Sequence, residues 1–391
     1  MVKAEKYQLQ KFYKINKILY PGDSSINITY YGLNLNITYS PNYLKGIASI
    51  NAKSTENGLT NFFLDLQDTM HVDSVLLNGS QAYFKHSLAK LEITLPRGYN
   101  IGEQFSVVIY YQGVPGSSGF GSFEFSSHNN APAIWSLSEP YGASDWFPCK
   151  DTPADKADSS DVWVTCSNSL TAASNGTLQA VVDNGDGTHT FKWKNIYPIA
   201  QYLISIAISN YTVYATYYHY APSDSMPIVF YIYPEDFNSA KPYLDKVANM
   251  IAIFSKFYGP YPFLKEKYGE AQFGWSGGME HQTMTSLGGF DEDLEAHELA
   301  HQWYGDKITC ADWQDIWLNE GFASFSEAVY FGAVSGLNSY NLMMNSFMDN
   351  AKNAVGSIYV QNISNVNSIF DYDRSYAKGA VVLHMLKGIM G

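Results

Sequence analysis

From about Ile26 to Tyr214 apolar and polar residues alternate in short runs such as INITYYGLNLNITY, FSVVIYY and THTFKWKNI, interrupted by PGDS, LPRGYNIG and DNGDGT. Period two places the apolar residues on one face of a pleated strand, so this half is predicted to be antiparallel β-structure. The run Asp183, Asn184, Gly185, Asp186, Gly187 predicts a hairpin, because Asn-Gly and Asp-Gly accept the positive φ that primed turns require. Beyond Tyr214 the period changes. DFNSAKPYLDKVANMIAIFSKFYG spaces its apolar residues as a helix does and stops at Gly259 and Pro260. Further helices are predicted over about 291–304, 318–334 and 376–390. The expected division is an N-terminal β-sheet domain over 1–209 and a mainly helical domain over 210–391.

Composition narrows the chemistry. The 391 residues are 46% apolar, enough for substantial cores. Against 37 acidic residues stand 24 basic ones, and the formal charge is −13. Only Arg97 and Arg374 are arginines, so a phosphate-binding surface or a nucleic-acid groove is disfavoured and cationic or neutral substrates fit better. Cys149, Cys166 and Cys310 lack paired spacing, which argues against a disulfide framework or zinc on thiolates. No membrane span or signal peptide is predicted: no apolar run reaches about 18 residues, and MVKAEKYQLQKFYKINK is charged without an apolar core. Richness in Tyr, Asn and Ser with few basic residues leans toward a secreted or periplasmic protein whose signal is absent from this sequence, rather than a cytoplasmic one.

The candidate chemistry sits in AHELAHQWYGD, residues 296–306. Positions i and i+4 share a helix face, so His297 and His301 can direct imidazole nitrogens at one ion. The competing reading, an exposed charged helix face, is weakened by Leu299 and Ala300, which mark the helix as half buried. Catalytic zinc needs a third protein ligand and an open position. After Gly305 the chain can reverse, and a second helix starting near Leu318 can turn Glu320, in WLNEGFASFSEAVY, toward the histidine pair. Glu298 lies about 100° around the helix from His297, where a general base reaches the attacking water without occupying a ligand position.

His-Glu-x-x-His, eighteen residues, then Glu within NEGFA resembles the zinc signature of the gluzincin metallopeptidases, specifically a bacterial-type member of the aminopeptidase N family. GGMEH at 277–281 resembles that family's exopeptidase motif, with His281 where Asn is usual. SEPYGASDWFPCKDTPADKA and YPIAQYLISIAI resemble segments of its N-terminal sheet domain, and SYAKGAVVLHML its Tyr-x-Lys-Gly-Ala segment. The resemblance implies a saddle-like N-terminal β-sheet domain followed by a thermolysin-like catalytic domain. It implies one zinc per chain on His297, His301 and Glu320, with Glu298 as general base. Tyr376 becomes the donor that faces the developing oxyanion, with Tyr372 as runner-up. Glu280 becomes the anchor for a substrate's α-ammonium, and Glu139 the second glutamate of that grip. The Gly277–Gly278 backbone, lacking Cβ, would let a peptide lie close as an added strand.

The expected function is therefore hydrolysis of the N-terminal peptide bond of peptides with a free amino terminus. Alternatives are a zinc endopeptidase, a member of the family's epoxide-hydrolysing branch, or a non-catalytic scaffold. Two departures concern the substrate pocket: Leu137 stands where the family commonly has Gln, and Ser144 where it often has Arg. The family continues past the point matching Gly391, so a shortened form with an incomplete catalytic domain is expected.

Overall fold

The computed structural model describes residues 22–390, which divide into two compact units at Tyr211/Thr212. The first is all β. Its eight-stranded sheet centres on Ile26–Tyr39, which pairs antiparallel with Asn42–Ser54 and parallel with Ser159–Ser167. The central strand buries Ile26 and Ile28, then Tyr31, Leu33, Leu35 and Ile37. That phase slip is already in the sequence, and the structure accommodates it with a register shift between Ile28 and Tyr30. A one-residue bulge restores the apolar face that a strict alternation would have turned outward.

The hairpin at 183–187 forms between Thr177–Asp183 and Thr188–Asn195, with Gly185 and Gly187 at φ 75° and 87°. A second, four-stranded sheet contains Ala131–Leu137, and Glu139 follows that strand, buried, ahead of Pro140.

The second unit is α/β. Five strands assemble in the order Thr212–His219, Ser225–Ile232, Tyr268–Gln272, Thr285–Leu287, Gly278–Met279. Four of these five lie beyond the region where alternation was visible. SMPIVFYI alternates in burial only as far as Phe230 while its sequence is apolar from Met226 to Ile232, and YGEAQ is buried throughout, so neither shows alternating apolar and polar residues. The helical run after residue 236 is two helices, Phe237–Leu244 and Val247–Tyr258. Pro242 removes one ladder donor, and Lys246 N–H turns back only three residues to Tyr243 O. Gly259, at φ 89°, ends the second helix. Helices Trp317–Ser335, Leu337–Ala351 and Gly379–Met390 pack through Phe325, Val329, Met344, Phe347, Ala380 and Leu383. Among the described residues no helix is long and apolar enough to cross a membrane.

Candidate active site

Helix Glu292–Ala300 starts where Asp291 accepts the backbone N–H groups of Asp293 and Leu294 at 3.1 and 3.0 Å. This is the capping arrangement that satisfies a helix's first orphan donors. His301 is the first residue past the helix but keeps helical angles, φ −58° and ψ −25°, so it remains one turn beyond His297 on the same face. Trp317–Ser335 presents Glu320 from its first turn, and all three side chains are buried.

The three side chains converge. His297 Nε2 lies 3.2 Å from His301 Nε2 and 3.2 Å from Glu320 Oε2, and His301 Nε2 lies 3.5 Å from the same oxygen. A tetrahedral ion with ligands at about 2.05 Å has ligand-to-ligand edges of about 3.3 Å, so the triangle is one face of such a site. The far nitrogens are engaged: His297 Nδ1 meets Glu327 Oε1 at 2.7 Å, and His301 Nδ1 meets the Tyr304 carbonyl at 3.0 Å. Nδ1–H donation to those acceptors leaves both Nε2 lone pairs facing inward, as zinc requires. Two imidazoles and a carboxylate with these outer partners fit zinc.

The electrostatics agree. Burial alone would raise the Glu320 pKa, but His301 and His297 beside it bring it down to about 2. Burial alone would lower both histidines. The carboxylates Glu320 and Glu327 hold His297 well above its ordinary value, and Glu280 with Glu320 raises His301 to about 9. The pocket is thus built to favour positive charge at the Nε2–Oε2 triangle.

Glu298 and Glu280 each bring an oxygen within 4.8 Å of His301's ring nitrogen and of one another. Glu280 follows the edge strand Gly278–Met279, is buried, and has its pKa raised chiefly by that burial. A Cβ on Gly278 would collide with the Glu298 side chain, and one on Gly277 with the Trp275 ring. The glycines therefore make room for neighbours within the unit.

Tyr376 lies in a π-helical segment, Tyr372–Lys378, and its ring stacks 6.0 Å from the His297 ring. Tyr372 stacks behind it at 5.7 Å. The segment is brought in by bare backbone contact: a Cβ on Gly379 would lie 2.8 Å from Gly321 Cα, next to Glu320. Of the predicted site residues, His297, His301, Glu320, Glu298, Glu280, Gly277, Gly278 and Tyr376 all belong to the second unit, whereas Glu139 belongs to the first. Sequence reasoning missed Glu327. Its signal was present, seven residues after Glu320 on the same helix, two turns along one face.

Residues 27–203 match the family profile described as Peptidase M1 N-terminal domain, and residues 291–391 match Peptidase family M1 domain. The chain is 26% identical over 396 residues to leucine aminopeptidase 2 of Vanderwaltozyma polyspora, covering 95% of this chain and 59% of that protein. It is 26% identical to human endoplasmic reticulum aminopeptidase 1, covering 76% of this chain and 34% of that protein. It thus spans about a third to three-fifths of those relatives' lengths. Among solved structures it is similar to a mutant M1 zinc metallopeptidase of Deinococcus radiodurans bound to a Tyr-Ser-Ala substrate. The TM-score is 0.82 at 25% identity, over 95% of this chain and 84% of that one.

Proposed function

The chain belongs to peptidase family M1, and on that premise we propose that it is a zinc-dependent aminopeptidase. The carrying observation is the triangle of His297 Nε2, His301 Nε2 and Glu320 Oε2, with edges of 3.2, 3.2 and 3.5 Å, flanked by Glu298 and Glu280. In this reading residues 212–390 form the catalytic domain and 22–211 the sheet domain that precedes it. Zinc held by His297, His301 and Glu320 would supply Lewis acidity, lowering the pKa of water toward about 7 and polarising a carbonyl.

The chain's own groups do the rest. The Glu298 carboxylate takes a proton from the attacking water and returns it to the leaving nitrogen. The Tyr376 hydroxyl donates to the carbonyl oxygen as that oxygen gains charge. The Glu280 carboxylate accepts hydrogen bonds from the α-ammonium and so fixes the distance from the amino terminus to the scissile bond. Burial that disfavours a lone charge on Glu280 makes a cationic partner welcome there. Gly278–Met279 ends the sheet's strand order, so an extended peptide can add to that edge. The test is hydrolysis of aminoacyl fluorogenic amides, with and without chelator, beside their N-acetylated counterparts. Chelator-sensitive cleavage of the free-amine set alone is expected; equal cleavage of acetylated substrates would exclude an aminopeptidase.

A further inference from the structure

Glu280 stands in a loop that ought to be difficult to build. Residues 280–284 connect strands Gly278–Met279 and Thr285–Leu287, and every residue from 279 to 287 is buried. Loops normally run over the surface because their backbone groups need water. This one also contains a left-handed residue that is β-branched: Thr283 has φ 61°. Such a conformation persists only where the surroundings over-determine it.

Two buried side chains do so. Gln302, next to the ligand His301, accepts the Thr283 N–H with its Oε1 at 2.9 Å, and the same oxygen lies 3.1 Å from the Tyr261 hydroxyl. Lys267 Nζ donates to the Thr283 carbonyl at 2.7 Å. Met284 N–H closes the turn onto His281 O at 2.9 Å. Lys267 is 3% exposed, and burial lowers its pKa to about 7 against the pull of Glu266. A lysine held at that depth is expensive, and its donation to a strained loop's carbonyl gives it a purpose.

We propose that Gln302 and Lys267 are positioning residues for Glu280: they clamp both backbone polar groups of Thr283 and so hold the amine-anchoring carboxylate at a fixed place beside the metal ligands. The proposal rests on the reading of Glu280 as the amine anchor. Loss of either clamp loosens the anchor while leaving the proton-transfer groups in place. Lys267→Met and Gln302→Met are each expected to raise KM for free-amine substrates about tenfold, the scale of one buried hydrogen bond, with kcat within about twofold and zinc still one per chain. Lys267→Arg, which keeps a donor, should retain most of the wild-type KM. A free-amine peptide analogue, titrated calorimetrically, should show the same weakening, and its acetylated form should show none.

In a Glu280→Ala background the clamp variants should add nothing. A full additional loss there would overturn the proposal, as would an unchanged KM or parallel falls in kcat and zinc content. Should Lys267→Met fail to fold, Gln302→Met carries the same comparison. If Glu280→Ala itself leaves the preference for free amines intact, the anchor reading fails first. If Glu280→Ala abolishes that preference while both clamp variants behave as wild type, the clamp alone is wrong.

Discussion

Removing Glu327 tests whether the outer partner of His297 holds the site together. The His297 Nδ1 to Glu327 Oε1 contact is 2.7 Å, with side-chain exposures of 7% and 2%. A charge-assisted hydrogen bond at that distance and depth contributes on the order of 1.5–3 kcal/mol. Each 1.4 kcal/mol is tenfold in an equilibrium constant, so Glu327→Leu should weaken zinc binding by roughly 10- to 100-fold. Glu327→Gln keeps an oxygen acceptor for Nδ1–H and should lose less, about tenfold or under. The assay is competition for zinc with a chelator of known affinity, read by metal-responsive fluorescence. Thermal unfolding in excess zinc separates loss of metal from loss of fold. Wild-type zinc affinity in folded Glu327→Leu would refute the orienting role and the argument that Nδ1–H donation aims Nε2 inward.

Glu298→Ala should bind zinc as the wild type does yet lose several orders of magnitude in kcat, whereas Glu320→Ala should lose the metal; both are read by metal analysis beside steady-state kinetics. Gly379→Ala forces a Cβ to 2.8 Å from Gly321 Cα, so kcat should fall at unchanged zinc content, and in a Tyr376→Phe background the further loss should vanish; full additivity would sever Gly379 from Tyr376. Zinc affinity should fall as pH drops below about 9, since His301, held near that value by Glu280 and Glu320 against its burial, must shed a proton to bind. The slope should approach one logarithmic unit per pH unit per proton, and a flat profile from pH 6.5 to 8.5 would contradict it. In the sheet domain, burial raises Asp65 to about 8. Its folded pKa exceeds its unfolded one, so stability present below about pH 4 is lost as pH rises through 8. Asp65→Asn should therefore melt higher than wild type at pH 8 and no higher at pH 4.

The sequence made legible whatever depended on spacing along one element. The histidine pair, the base between them and the sheet alternation with its slip at Ile28 and Tyr31 are all local patterns. What it hid was set by burial on every side. Tyr268–Gln272 carries no alternation because both of its faces are covered, and Ser225–Ile232 is apolar from Met226 to Ile232 even where Pro227 and Val229 are only part-buried. Glu327 shares a helix face with Glu320 in the sequence, but only the fold puts its carboxylate 2.7 Å from His297 Nδ1. Lys267, 35 residues before Gln302 in the chain, shares Thr283 with it only through sheet pairing and the return of helix Glu292–Ala300, which no single-chain pattern reports.

On the proposed aminopeptidase reading, charge arithmetic accounts for what so acidic a site selects. Glu280, Glu298, Glu320 and Glu327 bring four carboxyl groups around two imidazoles, all buried. Fully ionised, the four carry −4, which burial makes costly without cations. A divalent ion on the Nε2–Oε2 triangle and an α-ammonium at Glu280 together supply +3, each at the place where the carboxylates are concentrated. Burial raises the pKa of Glu280 and Glu327, and the neighbouring carboxylates raise those of His297 and His301, so the same groups favour protons where no other cation is held. On the same proposed reading, selectivity for a free amino terminus needs no separate recognition surface. An acetylated peptide brings no cation, leaves the Glu280 carboxyl buried without a counter-charge, and forfeits the interaction that the loop around Thr283 is clamped to present.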